Sequence, residues 1–251
     1  MRIMYKMACN KIIHCYCDHH LGDNLINIFF FSQIKQYIEQ NNIEIHYYCH
    51  GQYHENVRWF LCSQNIKIFH NTQIGYDFWQ GHEDLSSGKF IEDILCDMFN
   101  KFLNASQIPI VVDKFEYYEQ NLFITDVPPP VDNIDVLVIN SSPNSGQFHY
   151  DILEFNDFIL ALNNKYRVAV TNYVNNDVVD LSKYNVRQIA SLAKHVKFVI
   201  AINTGPSLGL YNRSITEHVE AIYILDDTDH YRFKTDKFVK CKNISDLHFL
   251  L

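Results

Sequence analysis

Apolar and polar positions follow two rhythms along the chain. Short apolar runs recur at "KIIHCYC" (11–17), "IEIHYYC" (43–49) and "IKIFH" (66–70), and each reads as a strand, the first of them buried. Between them the period lengthens to that of a helix. Leu25, Ile28, Phe29, Ile34 and Ile38 mark one side of a helix over 23–40. "QYHENVRWFLCS" (52–63) reads as helical. "KFIEDILCDMFNKFL" (89–103) turns Phe90, Ile91, Ile94, Leu95, Met98, Phe99 and Phe102 inward as an amphipathic helix. Strand alternating with helix predicts a parallel sheet covered on both faces.

Three consecutive prolines in "DVPPPVDN" (126–133) lock an extended segment and place a boundary between domains 1–128 and 129–251. The rhythm then restarts. Strands are expected over 134–140, 166–172, 197–203 and 220–227, with helices over 151–164 and 185–196. "TGPSLGLYN" reads as a turn into a short helix. The last two dozen residues fit either a closing strand or a segment packed back across the first domain. The predicted fold class is α/β: two Rossmann-like domains whose parallel sheets face each other across a cleft.

Composition narrows the function. The chain has 251 residues, 47% of them hydrophobic and 14% aromatic, enough for well-filled cores. A net charge of −8 and no basic stripe disfavour nucleic acid as a partner. The seven cysteines form no C-x-x-C pair and several sit in apolar runs, which suits a reducing compartment. "MRIMYKMACNKIIHCYC" breaks its apolar run with Lys6, Asn10 and Lys11, so no signal peptide is read, and no apolar block approaches a membrane span. A soluble protein of the cytoplasm is expected.

In open parallel sheets, ligands bind beyond the carboxyl ends of the strands. Four polar loops meet that condition. "DHHLGDN" (18–24) follows the first strand; Gly22 permits its turn, and Asp23 caps the next helix while pointing into the cleft. "SSPNSGQ" (141–147) offers Ser141, Ser142, Ser145 and Gly146 as a candidate anion nest, and "TNYVNND" (171–177) contributes Thr171, Asn172 and Tyr173. "NTGPS" (203–207) is the most informative. Its helix start supplies backbone N–H groups for an anion, and Gly205 lets a phosphate approach. Neither a dinucleotide nor a P-loop fingerprint is present. His19 and His20 with Asp18 and Asp23 raise a metal reading, but neighbouring residues at a strand end point to opposite sides, so no metal is expected.

The loop "HLGDNLINIFFFSQIK" resembles the opening of the heptosyltransferase-like enzymes, glycosyltransferase family 9. "VAVTNYVNNDVVDLSKYNVRQIASLAKHVKFVIAINTGPSLGLYN" looks like that family's donor half. The resemblance implies the GT-B fold and metal-independent transfer from a nucleotide-sugar co-substrate, with no further cofactor. It implies that Asp23 is the general base and that Thr204, Gly205, Pro206 and Ser207 hold the donor diphosphate. It sets Thr171 and Asn172 beside the nucleoside. The chain departs from the family pattern in being shorter, in carrying Asn203 where Asp is common, and in lacking a basic residue in "SSPNSGQ" and a His in "SLGLYN". The expected activity is inverting transfer of a sugar to a glycan or glycolipid acceptor. Acceptor contacts are expected from His19, His20, Gly22, Asn24, Tyr53 and Trp79, since aromatic faces and amides suit sugar rings.

Three other readings compete. Polysaccharide pyruvyltransferases share the architecture and a Gly-Asp turn, but carry an Arg-x-His absent near "NTGPS". "DDTD" (226–229) contains the Asp-x-Asp of metal-dependent transferases. A non-catalytic sugar- or nucleotide-binding protein is the third.

Overall fold

The computed structural model describes residues 11–60, 63–70, 73–80, 88–113, 128–143, 148–229 and 237–251. Its strands form two wholly parallel sheets. The first contains β1 (Lys11–Cys17), β2 (Ile43–Cys49), β3 (Ile66–His70) and the short β4 (Tyr76–Asp77), in the order β3-β2-β1-β4. The second contains β5 (Val136–Ile139), β6 (Val168–Val170), β7 (Val179–Asp180), β8 (Phe198–Ile202), β9 (Ala221–Leu225) and β10 (Phe238–Cys241). Its order is β10-β9-β8-β5-β6-β7.

The two sheets are buried differently. Every residue of β5, β6 and β8 is buried, as expected for continuous apolar runs with elements on both faces. β1 and β2 alternate instead. Ile13, Cys15 and Cys17 face the core, while His14 and Tyr16 are half-buried on the other face, and Glu44, His46 and Tyr48 repeat that pattern on β2. The expectation of a sheet covered on both faces therefore fails for this half. His and Tyr at alternate positions belong to a partly open face, and the pleat sends them all to one side.

Helix α1 (Leu21–Gln33) is central. Leu25, Ile28, Phe29, Phe30 and Phe31 are essentially inaccessible, so the helix is apolar almost all round and lies between layers. Phe30 stacks on Phe99 of α4 (Ile91–Ala105) at 4.5 Å, and Phe31 meets Phe78 edge-on at 5.9 Å. The predicted helix 23–40 breaks in two. Ser32 Oγ donates to the Phe29 carbonyl at 2.7 Å, a back-bond that bends helices, and α2 (Lys35–Gln40) resumes after Ile34. α3 (Gly51–Arg58) is shorter than 52–63 because Phe60 turns fully into the core.

In the second half, Asp151 caps α5 (Ile152–Asn163) by accepting from Leu153 N at 2.7 Å. α6 (Val186–Ala193) opens with a reciprocal cap between Asn185 and Gln188. A 3₁₀ helix (Gly205–Leu210) and α7 (Arg213–Thr216) follow β8. The chain end adds β10 to the sheet edge and a 3₁₀ helix (Ile244–Leu250) against α5, so it closes the second half rather than crossing the first.

One apolar cluster runs through both halves, joining α1 and the first sheet to Leu137, Ile189, Leu208 and Tyr211 of the second. A separate cluster fills the far face of the second sheet. Polar contacts add to this seam. Asn56 Oδ1 of α3 accepts from Val186 N of α6 at 3.1 Å. Arg58 and Arg187, one from each half, lie 5.3 and 4.9 Å from the Trp59 ring.

Candidate active site

The carboxyl ends of both sheets meet at a cavity of about 290 Å³. The start of α1 forms one wall through His20, Leu21, Gly22, Asp23 and Ile26, with Tyr53 beside it. Ser141, Ser142, Asn203, Thr204, Gly205, Pro206 and Leu208 form the other.

Asp23 is not the residue that precedes the helix. His20 holds that position, and Asp23 lies in the first turn, where its Oδ2 accepts from His20 N at 3.0 Å. Its side chain is 22% exposed. Burial pushes the carboxyl above the usual aspartate range, against the opposing pull of His20, His19 and the His20 backbone N–H. A carboxylate so placed is a stronger base than a solvated aspartate, which suits proton abstraction.

The two glycines have a reason the sequence did not reveal. Neither Gly22 nor Gly205 has positive φ. They face each other instead. A Cβ on Gly22 would lie 3.1 Å from Leu208 Cδ1 and 3.5 Å from Gly205 Cα. One on Gly205 would lie 3.0 Å from Gly22 N and 3.1 Å from Leu21 Cβ. The halves approach closely at this point, and any larger residue would force a neighbour to shift.

The 203–207 turn supplies fewer anion donors than its sequence suggests. Thr204 N donates to Ser207 Oγ at 3.1 Å, Ser207 N to Thr204 O at 3.0 Å, and Pro206 has no N–H. Of Thr204 to Ser207, only Gly205 keeps an N–H that the turn itself does not use. The start of α1 adds the first-turn N–H groups of Leu21 and Gly22. No Lys or Arg lines the cavity among the described residues.

The other expected residues divide into groups. His20, Gly22 and Tyr53 line the cavity, as do Asn203, Thr204, Gly205, Pro206, Ser141 and Ser142. His19 packs edge-on against Trp79 at 4.8 Å, and neither lines it. Asn24 is fully buried; its Nδ2 donates to His20 O at 2.8 Å and its Oδ1 accepts from Tyr47 Oη at 2.8 Å, so it braces the loop. Ser207 is likewise buried in its own turn. Thr171 and Asn172 engage Asn140, whose Oδ1 accepts from Asn172 N at 2.7 Å and from Thr171 Oγ1 at 3.2 Å. Tyr173 is 58% exposed, away from the cavity lining. Ser145 and Gly146 lie outside the described residues.

Sequence reasoning missed Asn140 and the apolar lining residues Leu21, Ile26 and Leu208. The signal for Asn140 was a polar residue directly after an apolar strand. Asp226, weighed in the sequence only as the first residue of "DDTD", is a fully buried carboxylate that accepts from Asn203 Nδ2 at 2.6 Å and from Thr228 N at 2.7 Å. These bonds bind "DDTD" into its own turn. Asp227 accepts from His149 N at 3.0 Å, and Asp229 pairs with Lys242 at 3.1 Å. No group of three or more His, Cys, Asp or Glu suited to a metal ion occurs among the described residues.

No family model and no curated protein matches the sequence. Solved structures share its fold. The Escherichia coli heptosyltransferase WaaC, with ADP-2-deoxy-2-fluoro heptose, superposes with a TM-score of 0.57 at 11% identity, covering 92% of both chains. A glycosyltransferase family 9 protein from Veillonella parvula gives 0.53 at 11% identity, covering 96% of this chain and 88% of that one. The iron-containing dodecameric glycosyltransferase TibC from enterotoxigenic E. coli gives 0.56 at 14% identity. The match to TibC covers 92% of this chain, which spans 62% of the TibC length. At these identities the likeness is one of fold, and the fold is that of heptosyltransferase-like GT-B proteins.

Proposed function

We propose that the protein is a glycosyltransferase that moves a sugar from a nucleotide-sugar donor to a glycan or glycolipid acceptor, without a metal and with inversion. Residues 1–128 would form the acceptor side and 129–251 the donor side. The observation that carries this reading is the single cavity in which the Asp23 carboxylate faces the 203–206 turn across the two halves. The fold likeness to proteins crystallised with ADP and ADP-heptose analogues supports the donor class.

The chemistry follows from the parts. The acceptor hydroxyl gives its proton to Asp23 as its oxygen attacks the anomeric carbon. The bond from that carbon to the diphosphate oxygen breaks on the opposite face, and the electron pair leaves with the nucleoside diphosphate. Among the described lining residues Asp23 is the only carboxylate, which suits a single displacement that inverts the centre. The N–H of Gly205 and those opening α1 stabilise the departing charge. Buried, free Cys15, Cys17 and Cys49 suit a reducing cytoplasm, where burial pushes the Cys17 and Cys49 thiols up to about 12. Among the described residues no helix is long and apolar enough to cross a membrane.

The deciding experiment incubates the protein with a panel of nucleotide-sugars and saccharide acceptors and follows nucleoside diphosphate release by mass spectrometry. Release that depends on acceptor supports the reading; binding of nucleotide-sugars with no turnover would instead favour a non-catalytic binding protein. The cavity's lack of Lys and Arg is the observation that favours that second reading.

A further inference from the structure

The half-open face of the first sheet ends in a second cavity. β1 and β2 pair Tyr16 with Tyr48 in register, and β3 adds Phe69 opposite Tyr48. The Tyr48 ring stacks on Phe69 at 5.3 Å and 28°, and Tyr16 sits beside Tyr48 in register, so the row forms an aromatic shelf. Beyond the shelf, at the carboxyl edge of the sheet, lies a cavity of about 380 Å³ walled by Tyr16, Tyr48, Asp18, His50 and Gln73. Gln73 Nε2 donates to Asp18 Oδ2 at 2.6 Å, which sets a carboxylate and an amide side by side at the rim.

Its chemistry selects one class of ligand. Among the described residues no Lys or Arg lines the cavity. Asp18 is acidic, and Asp77 bonds the Tyr16 hydroxyl. A phosphate or an acidic sugar would meet the Asp18 carboxylate with no lining Lys or Arg, among the described residues, to offset it. An acyl chain would bring no hydrogen-bonding group to the polar rim. An uncharged sugar ring matches both parts: its C–H face lies on the tyrosines, and its hydroxyls reach the Asp18 carboxylate and the Gln73 amide. The cavity also adjoins the first one. His50 and Tyr53 rings lie 5.9 Å apart, and Tyr53 lines the cavity that holds Asp23, as does His20 at the other end of the loop from Asp18.

We propose that this second cavity is an acceptor subsite, holding an uncharged sugar ring of the glycan whose neighbouring ring is presented to Asp23. The role as acceptor rests on the glycosyltransferase reading; the saccharide site itself does not. The test uses the full chain and saturation-transfer NMR with methyl α-D-glucopyranoside, methyl α-D-mannopyranoside, methyl β-D-galactopyranoside, maltose and lactose as probes. Glucose 6-phosphate is the anionic control. At least one neutral probe should bind. Asp18→Ala, at an exposed rim position, should weaken it about tenfold, the loss of a charge-assisted bond. Tyr48→Phe, which keeps the shelf, should weaken it less than Tyr48→Ala, with melting curves confirming that each variant folds. Binding of no neutral probe, binding unaffected by Asp18→Ala and Tyr48→Ala, or tighter binding of glucose 6-phosphate would overturn the proposal. Nucleotide-sugar turnover, measured separately, reports on the glycosyltransferase reading alone. Saccharide binding without turnover leaves the site standing, and turnover without binding here removes it.

Discussion

Replacing Asp23 by Asn separates catalysis from helix capping. Asn keeps an Oδ1 that accepts from His20 N, the bond now 3.0 Å long, so the cap geometry survives. The lost negative charge in the first turn of α1 costs about 0.3–1 kcal/mol of favourable interaction with the helix dipole. Against that, the variant no longer buries a charge, and burial is the main cause of the raised carboxyl pKa. The two effects oppose each other, so stability should change by less than about 1 kcal/mol, or roughly 2–4 °C in Tm for a chain of this size. Removing a general base costs about 10²–10⁴ in rate. The assay is therefore paired: Tm and transfer rate at saturating donor, both on Asp23→Asn. The pH dependence adds a sign. The folded carboxyl holds its proton more tightly than the unfolded one, so this group favours folding below its raised pKa and loses that contribution as pH rises through it. Wild type should gain stability on Asp23→Asn as pH falls, while its kcat/KM should decline at a higher pH than an ordinary aspartate would give. A near-normal rate in the variant, with only Tm altered, would refute the catalytic role.

Other outcomes follow from the same geometry. Gly205→Ala should separate the halves, because its Cβ meets the Gly22 backbone at 3.0 Å; expected are a stability loss of about 1–3 kcal/mol by urea titration and weaker nucleotide binding. Asn140→Ala should cost about 1–3 kcal/mol in the same titration, since Asn172 N and Thr171 Oγ1 both lose their acceptor. EDTA should leave transfer intact; full loss, restored by Mn²⁺ or Mg²⁺, would reopen a metal-dependent mechanism. Cys15, Cys17 and Cys49 should resist a thiol reagent at neutral pH in the folded protein and react only on unfolding, because burial holds all three thiols protonated.

Much of the fold was legible in the sequence because it depends on local periodicity. The runs at 11–17, 43–49 and 66–70 gave β1, β2 and β3 as strands over the same residues. The restart after the prolines led to the second sheet. What escaped depends on contacts distant in sequence. Gly22 and Gly205 looked like turn and phosphate glycines, yet they pack against each other from more than 180 positions apart. The donors of "NTGPS" are reduced by Ser207 turning back on Thr204, which no spacing rule reveals. Thr171 and Asn172 sit at the expected strand end, and the Asn140 side chain that holds them there is a partner no spacing rule reveals. The open face of the first sheet was visible as His and Tyr alternating with Ile and Cys, but the overall apolar character of those runs masked it.

In the proposed mechanism one nucleotide-sugar is held between the two halves. Hydrogen-exchange mass spectrometry tests it directly, with and without the nucleotide-sugar that gives the largest thermal shift in a panel. At about 100 times its dissociation constant such a ligand adds about 2.7 kcal/mol, enough to detect. Protection is expected in two places at once: peptides spanning 20–26 at the start of α1, and peptides spanning 203–208 after β8. Protection in only one of these segments, protection confined to peptides that do not line the cavity, or no stabilising nucleotide-sugar in the panel would contradict it.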